Sequence, residues 1–142
     1  MEISEIRRQL RQTIEAARRR ASERRARVDA ASRAWEPFLT STAIPVVRMF
    51  ANALKAEGHA FQVFTPAGGL RLMSERSSDD FIEFLLDTTA DPPAVIGRVN
   101  RGRGSRLITT ERAIRPDAAV EALTQEDVLE FLLEEIAAFI ER

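Results

Sequence analysis

The sequence predicts an α+β fold: a long N-terminal helix, a second helix, an antiparallel β meander of four to five strands, and a C-terminal helix packed on the sheet. Three observations carry that prediction. Residues 3–35 contain no glycine or proline, and Ala, Arg, Glu and Leu dominate them, all strong helix formers. The middle of the chain breaks into short apolar runs separated by Gly, Pro, Asn and Asp, as strands separated by turns do. From Thr124 onward, acids fill the first turn of a long apolar stripe, which marks a capped helix. At 142 residues the chain suits one domain, 1–142. Residues 1–36 are expected to form a protruding helix used for oligomerisation.

In the first helix, Ile3, Ile6, Leu10, Ile14, Ala17, Ala21, Val28 and Trp35 share one stripe at helical period. The stripe is narrow and thins to alanine, so it suits a helix–helix seam better than the flank of a large core. About 33 residues at 1.5 Å each reach roughly 50 Å, against about 30 Å for a small domain. Such a helix overhangs its own domain and needs a partner. A second copy of the chain is the simplest partner, which makes a homodimer the expectation. The rival is a break near Ser22 or Ser32 that folds the helix back.

Pro37 and Pro45 punctuate the next stretch. Pro45 suits the first turn of a second helix, whose buried face is Val46, Val47, Phe50 and Leu54. Gly58 stands where a helix-ending glycine belongs. Two strands then flank Pro66-Ala67-Gly68-Gly69. The run Phe81–Asp87 sets Ile82, Phe84 and Leu86 against Glu83 and Asp87, which favours a strand. Its surroundings, SSDDFIEFLLD, closely resemble TQEDVLEFLLE near the C-terminus. The second copy is helical by its N-cap at Thr124. The first reads as a strand because TTADPP stops it early. AVIGRVN and SRLITTERAI form a second hairpin. The final helix carries Val128, Leu129, Leu132, Ile136 and Ile140 and is expected to cover the sheet.

Composition narrows the chemistry. There is no cysteine and a single histidine, His59, which removes thiol chemistry and any multi-His zinc site within one chain. No apolar run approaches the roughly 20 residues of a membrane span, and the N-terminus lacks the apolar core of a secretory signal. The reading is therefore a cytoplasmic chain with no membrane partner. TPAGGLRL lacks the Lys-Ser/Thr pair of a phosphate-binding loop, and no nucleophile elbow is present. No catalytic, cofactor or metal residues are assigned, and the chain is read as non-enzymatic.

The net charge of −1 conceals segregation. Residues 1–36 hold ten arginines and six acids, residues 98–116 six arginines and one acid, and residues 117–142 eight acids and one arginine. Arg8, Arg11, Arg18, Arg19 and Arg33 lie roughly opposite the apolar stripe of the first helix. Glu15–Arg19, Glu23–Arg27 and Asp29–Arg33 have the favourable i,i+4 order, so local pairing should answer much of that charge. In VNRGRGSRL, Arg98, Arg101, Arg103 and Arg106 combine with glycines that allow close approach to a phosphate backbone. Yet Asn100, Gly102 and Gly104 also suit a hairpin loop, and no aromatic residue interleaves to stack on bases. Asp79, Asp80, Glu83, Asp87 and Asp91 match no calcium-loop spacing and read as solvated charges. The expected function is a homo-oligomeric interaction protein whose interface is Ile3, Ile6, Leu10, Ile14, Ala17, Ala21 and Val28. The alternative is a nucleic-acid binder using Arg8, Arg11, Arg18 and Arg19 together with the 98–115 hairpin.

Overall fold

The computed structural model describes residues 1–141. Helix α1 (Ile3–Phe38) leads through a π turn (Leu39–Ala43) into α2 (Ile44–Ala56). Five strands come next: β1 (Phe61–Phe64), β2 (Leu70–Ser74), β3 (Phe81–Asp87), β4 (Ala94–Arg103) and β5 (Arg106–Ala113). A short 3₁₀ turn (Val120–Ala122) precedes α3 (Gln125–Ile140). The strands lie in sequence order, and each pairs antiparallel with the next. The α+β class and the antiparallel meander are as the sequence predicts, with five strands.

Helix α1 is unbroken over 36 residues, so the break near Ser22 or Ser32 does not occur. It also runs past Pro37, where the sequence suggests a stop. The chain instead stays helical through both junctions into α2. The accommodation comes at the π turn, where the Ile44 N–H donates to the Leu39 carbonyl, an i→i−5 bond. Pro45 offers no N–H to the Ser41 carbonyl, and its ring would crowd that oxygen in a regular helix. Widening the turn by one residue makes the room. Helix α2 then ends as predicted: Gly58 adopts φ +89°, and the Gly58 and His59 amides donate to the Lys55 and Leu54 carbonyls. This is a Schellman cap, and the positive φ is why glycine stands there.

One face of the sheet forms the core. Leu70, Leu72, Ile82, Phe84, Val95 and Val99 are all essentially buried, and their registers place them on the same side. Val46, Val47, Phe50 and Leu54 of α2 and Val128, Phe131 and Leu132 of α3 complete this core. Gly97 falls on that face too, and a Cβ there would stand 2.1 Å from the Phe131 ring. The glycine therefore lets the ring lie against the strand, edge-on to Phe84 at 5.6 Å. Trp35 is buried against Phe38 and donates from Nε1 to the Gly68 carbonyl, which pins the end of α1 to the β1–β2 loop.

The look-alike segments diverge as predicted, and their first residues show how. The Thr124 hydroxyl accepts from the Asp127 amide while the Asp127 carboxylate accepts from the Thr124 amide, a reciprocal capping box that starts α3. The Ser77 hydroxyl accepts from the Asp79 amide, and the Ser77 carbonyl from the Asp80 amide. That turn feeds Phe81–Asp87 into the sheet between β2 and β4.

The apolar stripe of α3 is only half used. Val128, Phe131 and Leu132 are buried, but Leu129 and Ile140 remain 41% and 40% exposed. The expectation that the whole stripe covers the sheet is corrected: α2 shares the same sheet face, so only one side of α3 finds room on it.

Candidate functional site

The most exposed apolar surface is the first half of α1. Every residue from Met1 to Glu15 is exposed, and α1 first enters the core at Ala31. Ile3, Ile6, Leu10 and Ile14 are 77%, 47%, 55% and 41% exposed. Ala17 is exposed, and Ala21 and Val28 are half-buried. The body grips the helix through Arg24 and Arg27, which meet the Asp91 carboxylate in the β3–β4 loop at 3.7 and 2.9 Å. From Ile3 to Arg24 the helix extends about 32 Å at 1.5 Å per residue. Arg8 has only a 4.0 Å contact with Glu5. The i,i+4 pairs expected at Glu15–Arg19, Glu23–Arg27 and Asp29–Arg33 are not formed, and Arg27 turns to Asp91 instead. Arg11, Arg18 and Arg19 have no ion-pair partner among the described residues.

The basic hairpin divides in two. Arg98 lies on the outer sheet face, opposite buried Val99, and binds Glu111 at 2.7 Å and Glu83 at 3.4 Å. Arg112 spans Glu134 and Glu135 of α3 at 2.6 and 3.0 Å, with its guanidinium 4.4 Å over the Phe131 ring. Arg115 reaches Asp127 at 3.3 Å. The acidic C-terminal helix thus answers two of these arginines. Arg101, Arg103 and Arg106, around the tip, have no acidic partner among the described residues. The turn itself is shorter than the sequence suggests. Arg103 pairs with Arg106, so only Gly104, at φ +63°, needs a glycine's conformational freedom. Asn100 and Gly102 belong to β4: Asn100 donates to the Asp79 carbonyl, and the Gly102 amide donates to the Asp80 carboxylate. They tie the hairpin to the β2–β3 turn.

Two of the five carboxylates are not solvated as expected. Asp80 and Glu83 are 5% and 4% exposed. Glu83 sits on the outer sheet face between the neighbouring strands, held by Arg71 at 2.6 Å and by Arg98. Arg71 also stacks on Phe81, 4.1 Å from its centroid. The two arginines roof the carboxylate from either side, which a one-dimensional alternation pattern cannot reveal. Asp87 is held below the ordinary carboxylate range by the hydroxyl and amide of Thr89. Burial pushes Asp127 upward, but the Thr124 amide and hydroxyl and the Arg115 guanidinium outweigh it and leave its pKa lowered. Among the described residues no group of three His, Asp or Glu side chains is arranged to hold a metal ion, and no helix is long and apolar enough to cross a membrane.

A second exposed apolar surface lies where α2 meets α3. Met49, Leu129, Leu133 and Ile140 are 59%, 41%, 56% and 40% exposed. Val46, Met49, Ala53 and Leu129 line an open groove of about 360 Å³ there. The sequence assigns Leu129 and Ile140 to the core and passes over Met49. The one available signal is the width of the α3 stripe, which exceeds what one buried face needs. Comparison with known families, characterised proteins and solved structures gives no match to this chain.

Proposed function

We propose that this chain is a non-enzymatic interaction protein that works as a homo-oligomer through its N-terminal helix. The observation that carries this is the free span of α1, about 32 Å of helix from Ile3 to Arg24, whose four large apolar residues stay in water along roughly its first 17 Å. A helix of that length gains most of its stability from a covered face. Covering Ile3, Ile6, Leu10 and Ile14 would contribute roughly 1–2 kcal/mol each. A closed homodimer covers two such stripes at once. Light scattering on the full chain across micromolar concentrations tests the proposal. The wild type should run as a dimer, and the Ile6→Glu/Leu10→Glu variant as a monomer with unchanged sheet signal. A wild type that is monomeric throughout overturns it.

A nucleic-acid role is the second reading, supported by the unpaired arginines at the hairpin tip. Against it, the tip lies at the far end of β4, roughly 30 Å of strand from the Asp91 end where α1 is held. The contact of Arg24 and Arg27 with Asp91 thus holds α1 at the opposite end of β4 from the tip. Absence of a gel shift with duplex or single-stranded probes at low salt disposes of this reading.

A further inference from the structure

The homo-oligomer leaves open what the free span of α1 packs against; the inference below rests on that proposal and names the opposing surface. We infer that the apolar stripe of α1 seats in the α2/α3 groove of a second copy, reciprocally, rather than on the partner's own α1.

The α1 stripe and the outer stripe of α3 that leads out of the groove match in length. Ile3, Ile6, Leu10 and Ile14 span eleven residues, about 17 Å of helix. The outer side of α3 offers Leu129, Leu133, half-buried Ile136 and Ile140 over the same eleven residues, and at its Leu129 end Met49 and Ala53 of α2 form the opposite wall of the groove. An apolar helix stripe in an apolar groove between two helices is a standard mode of recognition.

Their borders match in charge. At 3.6 residues per turn, Arg7, Arg11 and Arg18 run along one edge of the α1 stripe and Arg8 and Arg19 stand on the far side, which corrects the expectation that Arg11 and Arg18 lie opposite it. On α3 the exposed stripe is bordered by Glu126, Glu130 and Glu141. Arg7, Arg11, Arg18 and these three glutamates are all exposed, and none has an ion-pair partner among the described residues. Viewed from each N-terminus, the arginine row and the glutamate row lie on the same hand of their stripes. They come together when the two helices run antiparallel. Two copies of α1 paired antiparallel would instead bring basic rows together, and paired parallel would set those rows on opposite edges with no acidic row to meet.

Reach excludes the chain's own groove. Because α1 is unbroken, Ile14 stands about 25 Å along the axis from Ala31, where the helix enters its own core. The stripe cannot fold back onto the groove of its own chain, so the occupant must come from another copy.

The test uses full-length chain and light scattering, with variants at exposed positions that leave the core intact. Leu129→Gln/Leu133→Gln should weaken the dimer about tenfold or more. Glu126→Arg/Glu130→Arg should weaken it at low salt, as should Arg7→Glu/Arg11→Glu, and the four changes combined in one chain should restore association. Absence of native cysteine adds a direct readout: a Leu10→Cys chain mixed with a Leu133→Cys chain should form the mixed disulfide in preference to either homodisulfide. If the groove variants dimerise like wild type while Ile6→Glu/Leu10→Glu is monomeric, the groove is not the partner, although the oligomer proposal stands. If the wild type is monomeric, both fail.

Discussion

Replacing Gly97 by alanine asks how tightly α3 is locked to the sheet. The added methyl would stand 2.1, 2.4 and 2.8 Å from three atoms of the Phe131 ring. Ordinary carbon contact needs about 3.5 Å, so the ring must retreat by roughly 1.4 Å. It has little room, since Phe131 is 1% exposed and braced by fully buried Phe84, with the Arg112 guanidinium above it. Overpacking of this kind costs about 1–3 kcal/mol, offset by the roughly 0.5–1 kcal/mol that alanine gains over glycine within a strand. A 2.1 Å approach to a ring with no room to yield puts the cost at the upper end of that range, so the expected net loss is about 2 kcal/mol, a fall in Tm of roughly 4–8 °C for a chain of this size. Urea denaturation followed by circular dichroism, at one fixed protein concentration, measures it. Trimming the ring with Phe131→Leu should relieve the clash. The double variant should therefore lose at least about 1 kcal/mol less than the two single losses added together. A Gly97→Ala protein within about 0.5 kcal/mol of wild type, or strict additivity in the double variant, would show that the ring does not depend on this glycine.

Two further outcomes concern the buried and capped carboxylates. Glu83→Ala leaves Arg71 and Arg98 facing each other across the gap. It should cost about 2 kcal/mol in urea titration, below the usual range for a buried pair because both guanidinium groups are about one-third exposed and can turn outward. Asp127→Asn should cost about 1 kcal/mol at neutral pH by weakening the capping box. Because Asp127 is held below its ordinary value when folded, its contribution is complete above the unfolded pKa of about 3.9 and fades as pH falls through the lower folded value. The gap between wild type and Asp127→Asn should therefore close as pH falls from about 4 through that lower folded value, and a gap that widens on acidification would contradict this assignment.

The sequence by itself determined the elements whose causes are local. The helix-forming run of α1, the glycine cap after α2, the Thr124 capping box and the meander arise from propensity, capping chemistry and period-two alternation. Even the look-alike segments sort correctly, because the residues on either side of each one differ. Tertiary structure decided the matters that depend on neighbours distant in the chain. The helical path carries on past Pro45 into α2, because a π turn before that proline absorbs the misfit. Glu83 is buried because arginines from two other strands close over it. The stripe of α3 is half exposed because α2 already occupies part of the sheet face. The arginines of the hairpin divide for the same reason: Arg112 and Arg115 lie within reach of α3, Arg98 lies within reach of Glu83 and Glu111, and the tip arginines pair with no acid among the described residues. A pattern along the chain reports which face a residue takes. Which neighbour then covers that face is decided only when the elements pack.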